Sequence, residues 1–166
     1  MIRFKPSVPL DVPLTSGCVE RKSVDSSFWK GVPAAEKDGC YVFGVPKKYG
    51  QDGFMPLYVG STNRSFNAEC FNSGNLTKLN DYLRHHPATS LKLVLLPHPA
   101  HKGGSNKAII ADLERDLIRM AKDVNPKLLN KQHVHADEWG IHGLIRGGSG
   151  KPGAGSILLA QMLNVP

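Results

Sequence analysis

Gly39-Cys40-Tyr41-Val42-Phe43-Gly44-Val45 and, past a polar loop over 47–53, Met55-Pro56-Leu57-Tyr58-Val59-Gly60 are the stretches on which the fold reading turns. Aromatic and β-branched residues dominate both, and Gly39 and Pro46 bound the first, which is the signature of strands. The loop between them is too short for a crossover to a parallel neighbour, so the pair reads as an antiparallel hairpin. A third strand follows in Leu91-Lys92-Leu93-Val94-Leu95-Leu96, ended by Pro97. Between the second and third strands a short helical piece is expected over 66–71, and Leu76, Leu79, Tyr82 and Leu83 keep helical spacing until Pro87. The longest helix is read over 107–123, capped by Ser105 or Asn106 and closed by Asn125-Pro126. Trp139-Gly140-Ile141 reads as a short strand, and a glycine-rich tail over 143–155 leads to a last helix over 157–163.

This order predicts an α+β fold: a small, mostly antiparallel three-stranded sheet flanked by helices, with a C-terminal extension. Residues 1–38, with Pro6, Pro9, Pro13 and Pro33 and no sustained period, read as an extended arm with one helical turn near 26–29. Residues 39–131 form the domain proper, and 132–166 an extension packed on it.

The chain has 166 residues, enough for one domain with its own core and no need of metal clips or disulfides. Cys18, Cys40 and Cys70 are odd in number and lack C-x-x-C spacing, so they are expected to be reduced structural thiols. No apolar run has the length of a membrane span, and the N-terminus lacks the apolar stretch of a signal peptide, so a cytoplasmic protein is expected. Lys and Arg number 21 against 14 Asp and Glu, a net charge of +7 that leans toward a polyanionic partner, most simply nucleic acid.

Glu114 is the most informative single residue. On the long helix, Ile109, Ile110, Leu113, Leu117, Ile118, Met120 and Ala121 share one arc, while Asp112, Arg115, Asp116, Arg119 and Lys122 share the other. Glu114 projects just inside the edge of the apolar arc, where an ionised carboxylate costs several kcal/mol unless something pairs with it. It is either a ligand for a divalent cation or a general acid or base at a cleft rim, or else a boundary carboxylate paired to an Arg or reaching solvent. Tyr41 and Tyr58 occupy matching places in the hairpin and, taken alone, read as ordinary strand packing.

Gly39-Cys40-Tyr41, followed by Tyr58-Val59-Gly60 with the two tyrosines seventeen residues apart, resembles the paired signature of the GIY-YIG nuclease family, with Cys and Val in place of the two isoleucines. The resemblance covers residues 39–131 and extends to a helix bearing a Glu, here Glu114, and a downstream Asn, here Asn130. It implies hydrolysis of phosphodiester bonds in DNA by a Mg²⁺- or Mn²⁺-dependent endonuclease, with RNA admitted by the same chemistry. It further implies that Tyr41 and Tyr58 line the site, that one of them activates the attacking water, that Glu114 holds the metal and that Asn130 orients the polar network. A degenerate relative that binds nucleic acid without cutting it is the alternative.

The family's arginine at the start of the first helix is missing. That neighbourhood reads Asn67-Ala68-Glu69-Cys70. Arg64, at the loop-to-helix junction, is the preferred substitute, and Arg84, beside His85 and His86, the second choice. Glu69 could instead pair with Arg64 and neutralise it. His98-x-x-His101 and His133-x-His135 sit among loop residues and lack a third ligand. Gly147-Gly148-Ser149-Gly150-Lys151-Pro152 fails as a nucleotide-binding loop, because Ile145 and Pro152 stand where glycine and a hydroxyl are needed, so no nucleotide cofactor is expected. Arg146 and Lys151 in that segment remain candidates for nucleic-acid backbone contact.

Overall fold

The unbroken apolar run after Gly39 becomes the middle of a sheet whose two faces are both covered, which is why it shows no polar alternation. The computed structural model of the chain describes residues 2–47, 52–99, 107–130, 139–141, 144 and 151–165. Its elements run β1 (Ile2–Phe4), β2 (Leu10–Val12), α1 (Ser26–Trp29), β3 (Gly39–Pro46), β4 (Phe54–Thr62), α2 (Phe66–Glu69), α3 (Ser73–His85), β5 (Leu91–Pro97), α4 (Lys107–Val124), β6 (Trp139–Ile141) and α5 (Ala154–Leu163). Among these residues no helix is long and apolar enough to cross a membrane.

The main sheet has the order β2-β5-β3-β4, with every neighbouring pair antiparallel. It therefore has four strands where the sequence predicts three. The fourth comes from the N-terminal segment: Leu10, Asp11 and Val12 pair with Leu93, Lys92 and Leu91. Three residues between Pro9 and Pro13 are too few for a period of two to register, and an edge strand tolerates the flanking prolines. The same segment also supplies β1, which runs parallel to β6 in a separate two-stranded pair.

Alternation along β3 sends Tyr41, Phe43 and Val45 to one face, packed with Leu57, Phe66, Leu79 and Leu83. Cys40 and Val42 turn to the other face with Val59, Val94, Ile110, Leu113 and Leu117. Helix α3 thus belongs to the first layer and α4, with α5 beside it, to the second. Asp112 and Asp116, placed by the helical wheel on the arc away from the core, are in fact 6% and 3% exposed. Each is paired with an arginine one turn on, Arg115 and Arg119, which compensates the buried charge.

Two glycines let β3 lie close to its neighbours, Gly39 toward β5 and Gly60 toward β4. Gly39 has φ +142°, and a side chain there would run into the carbonyl oxygen of Leu96 on β5. A Cβ on Gly60 would collide with the ring and hydroxyl of Tyr41, its cross-strand partner. That ring is fully enclosed and cannot retreat. Gly60→Ala is therefore expected to lower stability by about 1–3 kcal/mol, seen as an earlier urea midpoint; an unchanged midpoint would mean that the ring does not occupy that space.

Candidate functional site

Strand β4 lies at the edge of the sheet, and its outer side is closed by the chain just after α4 rather than by another strand. The Leu129 N–H donates to the Leu57 carbonyl at 3.0 Å. At the next position the Asn130 side chain imitates a peptide: its Oδ1 accepts from the Val59 N–H at 2.8 Å, and its Nδ2 donates to the Val59 carbonyl at 2.7 Å. Both outward backbone groups of Val59 are thereby satisfied, as an edge requires. The amide to which the resemblance gives a place in the site's polar network is thus bonded to the strand that carries Tyr58.

Tyr41 and Tyr58 are not opposite one another. Tyr41 faces Gly60, and Tyr58 faces Phe43, so the tyrosines are diagonal neighbours on the α3 face with ring centroids 6.3 Å apart. Tyr41 is 1% exposed, and its hydroxyl accepts from Asn75 Nδ2 at 2.8 Å. Asn75 is held in turn by the start of α3, where the Asn72 side chain caps its N–H, and it also donates to the carbonyls of Glu69 and Cys70. Burial pushes the Tyr41 phenol far above its ordinary value, Cys70 and Tyr58 add to the shift, and the Asn75 hydrogen bond only partly opposes it. Tyr58 is half-buried and borders an open groove of about 500 Å³ with Lys78, Asp81, Tyr82, Leu129 and Asn130. The Lys78 ammonium lies 4.8 Å from the Tyr58 ring centroid and 3.4 Å from its hydroxyl.

Glu114 has a hydrogen-bond partner on the other face. Ser61, three residues beyond Tyr58, donates from Oγ to Glu114 Oε2 at 2.8 Å. Cys40, the cross-strand partner of Ser61, donates its thiol to the Ile110 carbonyl, and burial, reinforced by the Glu114 carboxylate, raises that thiol well above its ordinary value. The tyrosine rings and the Glu114 carboxylate therefore sit on opposite faces of the hairpin, joined through the edge strand. Mg²⁺ is ordinarily held by one or two carboxylates, with water and phosphate oxygens completing its shell, and Glu114 offers one such carboxylate. Among the described residues no three His, Cys, Asp or Glu side chains gather into an all-protein metal site.

Both candidate arginines are exposed. Arg64 is exposed just past β4, its backbone N–H bonded to Thr62 Oγ1, and among the described residues it enters no ion pair with Glu69. Glu69 accepts instead from Asn72 Nδ2 at 2.8 Å. Arg84 is exposed and bonded to Asp81 at 2.8 Å. Lys151 is exposed beside the start of α5, while Arg146, His101, His133 and His135 lie outside the described residues. His98 is buried with its ring edge against Phe4.

Sequence reading missed Ser61, Asn75, Lys78 and Tyr82. The last three fall at i, i+3 and i+7 and so share one stripe of α3, a signal present in the spacing but masked by its mixture of polar and aromatic types. The chain matches no protein-family model, no curated protein and no solved structure.

Removing the Asn130 amide leaves two backbone groups of an edge strand without their partners. Asn130→Ala is expected to cost roughly 1–3 kcal/mol in urea unfolding and to speed hydrogen exchange at the Val59 amide; slow exchange retained in the variant would contradict the clamp. The Tyr41 phenol keeps its proton in the folded state after the unfolded chain has lost it. Stability should therefore fall as pH rises past about 10, and fall less steeply in Tyr41→Phe. Parallel slopes for wild type and Tyr41→Phe would show that Tyr41 ionises freely in the fold.

Proposed function

We propose that the chain is a divalent-metal-dependent endonuclease that hydrolyses phosphodiester bonds in DNA with a GIY-YIG-type site. One observation carries this reading. The residues that bear the resemblance all meet a single four-residue segment of β4: Tyr58 belongs to it, Asn130 clamps Val59, Tyr41 fills the space over Gly60, and Glu114 accepts from Ser61. They are brought together from β3, β4, α4 and the chain after α4, far apart in sequence.

Within this reading the roles divide by exposure. Tyr41 is enclosed and stays protonated, so it serves to hold the hairpin, and Tyr58, open to the groove, is the residue that holds the attacking water. The water oxygen bonds to phosphorus as the bond to the leaving oxygen breaks, and a water proton ends on that oxygen. Lys78 brings a positive charge to the phenol, where the anionic backbone would approach. A Mg²⁺ or Mn²⁺ ion bound through Glu114, on the other face of β4 from the Tyr58 ring, would supply polarisation of a phosphoryl group lying across that edge strand. Asn130 keeps Tyr58 in register by fixing its neighbour.

A second reading, a nucleic-acid-binding module that does not cut, is favoured by two features. An acid, Glu69, occupies the place of the family's arginine, and the tyrosines and Glu114 lie on opposite faces of the sheet.

Wild-type protein is expected to nick supercoiled plasmid in Mg²⁺ or Mn²⁺. Glu114→Ala should abolish nicking with its circular dichroism spectrum unchanged, and Tyr58→Phe should slow it by about 10²-fold or more. Cleavage by Glu114→Ala at the wild-type rate would sink the nuclease assignment. Binding with a steep salt dependence, without cleavage in either metal, would establish the second reading. Arg64→Ala and Arg84→Ala then report which guanidinium, if either, assists the reaction.

A further inference from the structure

Two depressions on the α3 side of the sheet meet at Tyr82. The larger, of about 500 Å³, is the groove beside Tyr58 and Lys78, and the smaller, of about 180 Å³, runs past His86 to Val45, Met55 and Lys47. Tyr82 borders both, with its ring centroid 4.8 Å from that of His86. The surface thus offers rings from Tyr58, Tyr82 and His86, apolar contact from Met55 and Leu129, and ammonium groups from Lys47 and Lys78. Its acid, Asp81, is already neutralised by Arg84 at 2.8 Å. The balance of charge along the two depressions is therefore positive, in a chain that carries +7 overall.

Aromatic faces interleaved with cations, without a tight polar pocket to select one base, make a platform for stacking nucleotides. Bases within a duplex already stack on one another and have no face to give to a tyrosine. An unpaired base does, and a volume of about 500 Å³ is ample for one nucleotide.

We propose that this groove binds an unpaired stretch of a nucleic-acid strand, its bases stacking on Tyr82 and Tyr58 and its phosphates meeting Lys78 and Lys47. The proposal deepens the nuclease reading and rests on its assignment of nucleic acid as the partner: it names as substrate a strand with an unpaired region beside the scissile bond, rather than uniform duplex.

The test is a binding measurement without metal, so that cleavage does not enter. A fluorescein-labelled oligothymidylate of about 15 nucleotides is titrated with the full chain in EDTA and followed by anisotropy, with a duplex of equal length alongside. The single strand is expected to bind more tightly than the duplex. Tyr82→Ala should weaken single-strand binding by about tenfold, and Tyr82→Phe, which keeps the ring, should leave it within about twofold. Lys78→Ala, at an exposed position that the core does not need, should weaken binding and flatten its salt dependence by about 0.7 of a unit of log–log slope. Equal or tighter binding of duplex, wild-type affinity in Tyr82→Ala, equal loss in Tyr82→Phe and Tyr82→Ala, or an unchanged salt slope in Lys78→Ala would each overturn the proposal. Single-strand binding that follows Tyr82 and Lys78 in a protein that cuts nothing would refute the nuclease and leave the groove standing. Plasmid nicking by a protein whose single-strand affinity ignores Tyr82 would do the reverse.

Discussion

The ring of Tyr41 fills the space in which any side chain on Gly60 would have to lie, and much of the molecule follows from that contact. It pins the register of β3 on β4, because a shift of one residue would put a side chain where the ring is. It buries the phenol, which must then find a hydrogen bond, and Asn75 provides it from the first turn of α3. Asn75 is itself gathered by the cap of α3 and the carbonyls at the end of α2, so the hairpin, α2 and α3 are tied through a single amide. With the register set, Tyr58 falls on the same face as Tyr41 and Ser61 on the other, where it reaches Glu114.

A small sheet has two edges to protect, and this one protects them unequally. Beyond β5 a real strand, β2, has been added, with Asp11 bonded to Lys92 across the pair. Along β4, among the described residues, the chain after α4 supplies only single contacts: the Asn125 side chain to the Pro56 carbonyl, the Leu129 N–H to the Leu57 carbonyl, and the Asn130 side chain, which satisfies Val59 as a neighbouring peptide would. The lighter protection leaves the ring of Tyr58 bordering a groove, where a full strand would pair along β4 and present its own side chains beside that ring. A candidate reactive side chain therefore stands where the edge is closed by a side chain instead of a strand.

The electrostatics near the hairpin differ from what net charge suggests. On the α3 face the phenol of Tyr41 has Glu69 and Cys70 in its surroundings, and both act against its ionisation. The positive charge comes later along the same face, from Lys78 over the Tyr58 ring. Lys47 adds a second ammonium in the adjoining depression, so the basic charge on this face comes from lysines beside the rings.

Sequence alone determined the β3–β4 hairpin, the strand 91–96 and the two main helices, because strand composition and helical periodicity are local properties of contiguous residues. It also marked Glu114 as a carboxylate in need of a partner, since its angular position on α4 follows from 100° per residue. It did not show that β2 joins the sheet, since three residues carry no period, nor that Asp112 and Asp116 are buried, since a helical wheel describes one helix and not what packs around it. That Ser61 bonds to Glu114, that Asn130 clamps Val59 and that Asn75 holds Tyr41 are contacts between residues 53, 71 and 34 positions apart. Such pairings depend on how the sheet, the helices and the chain after α4 come together in space, and only the tertiary structure decides them.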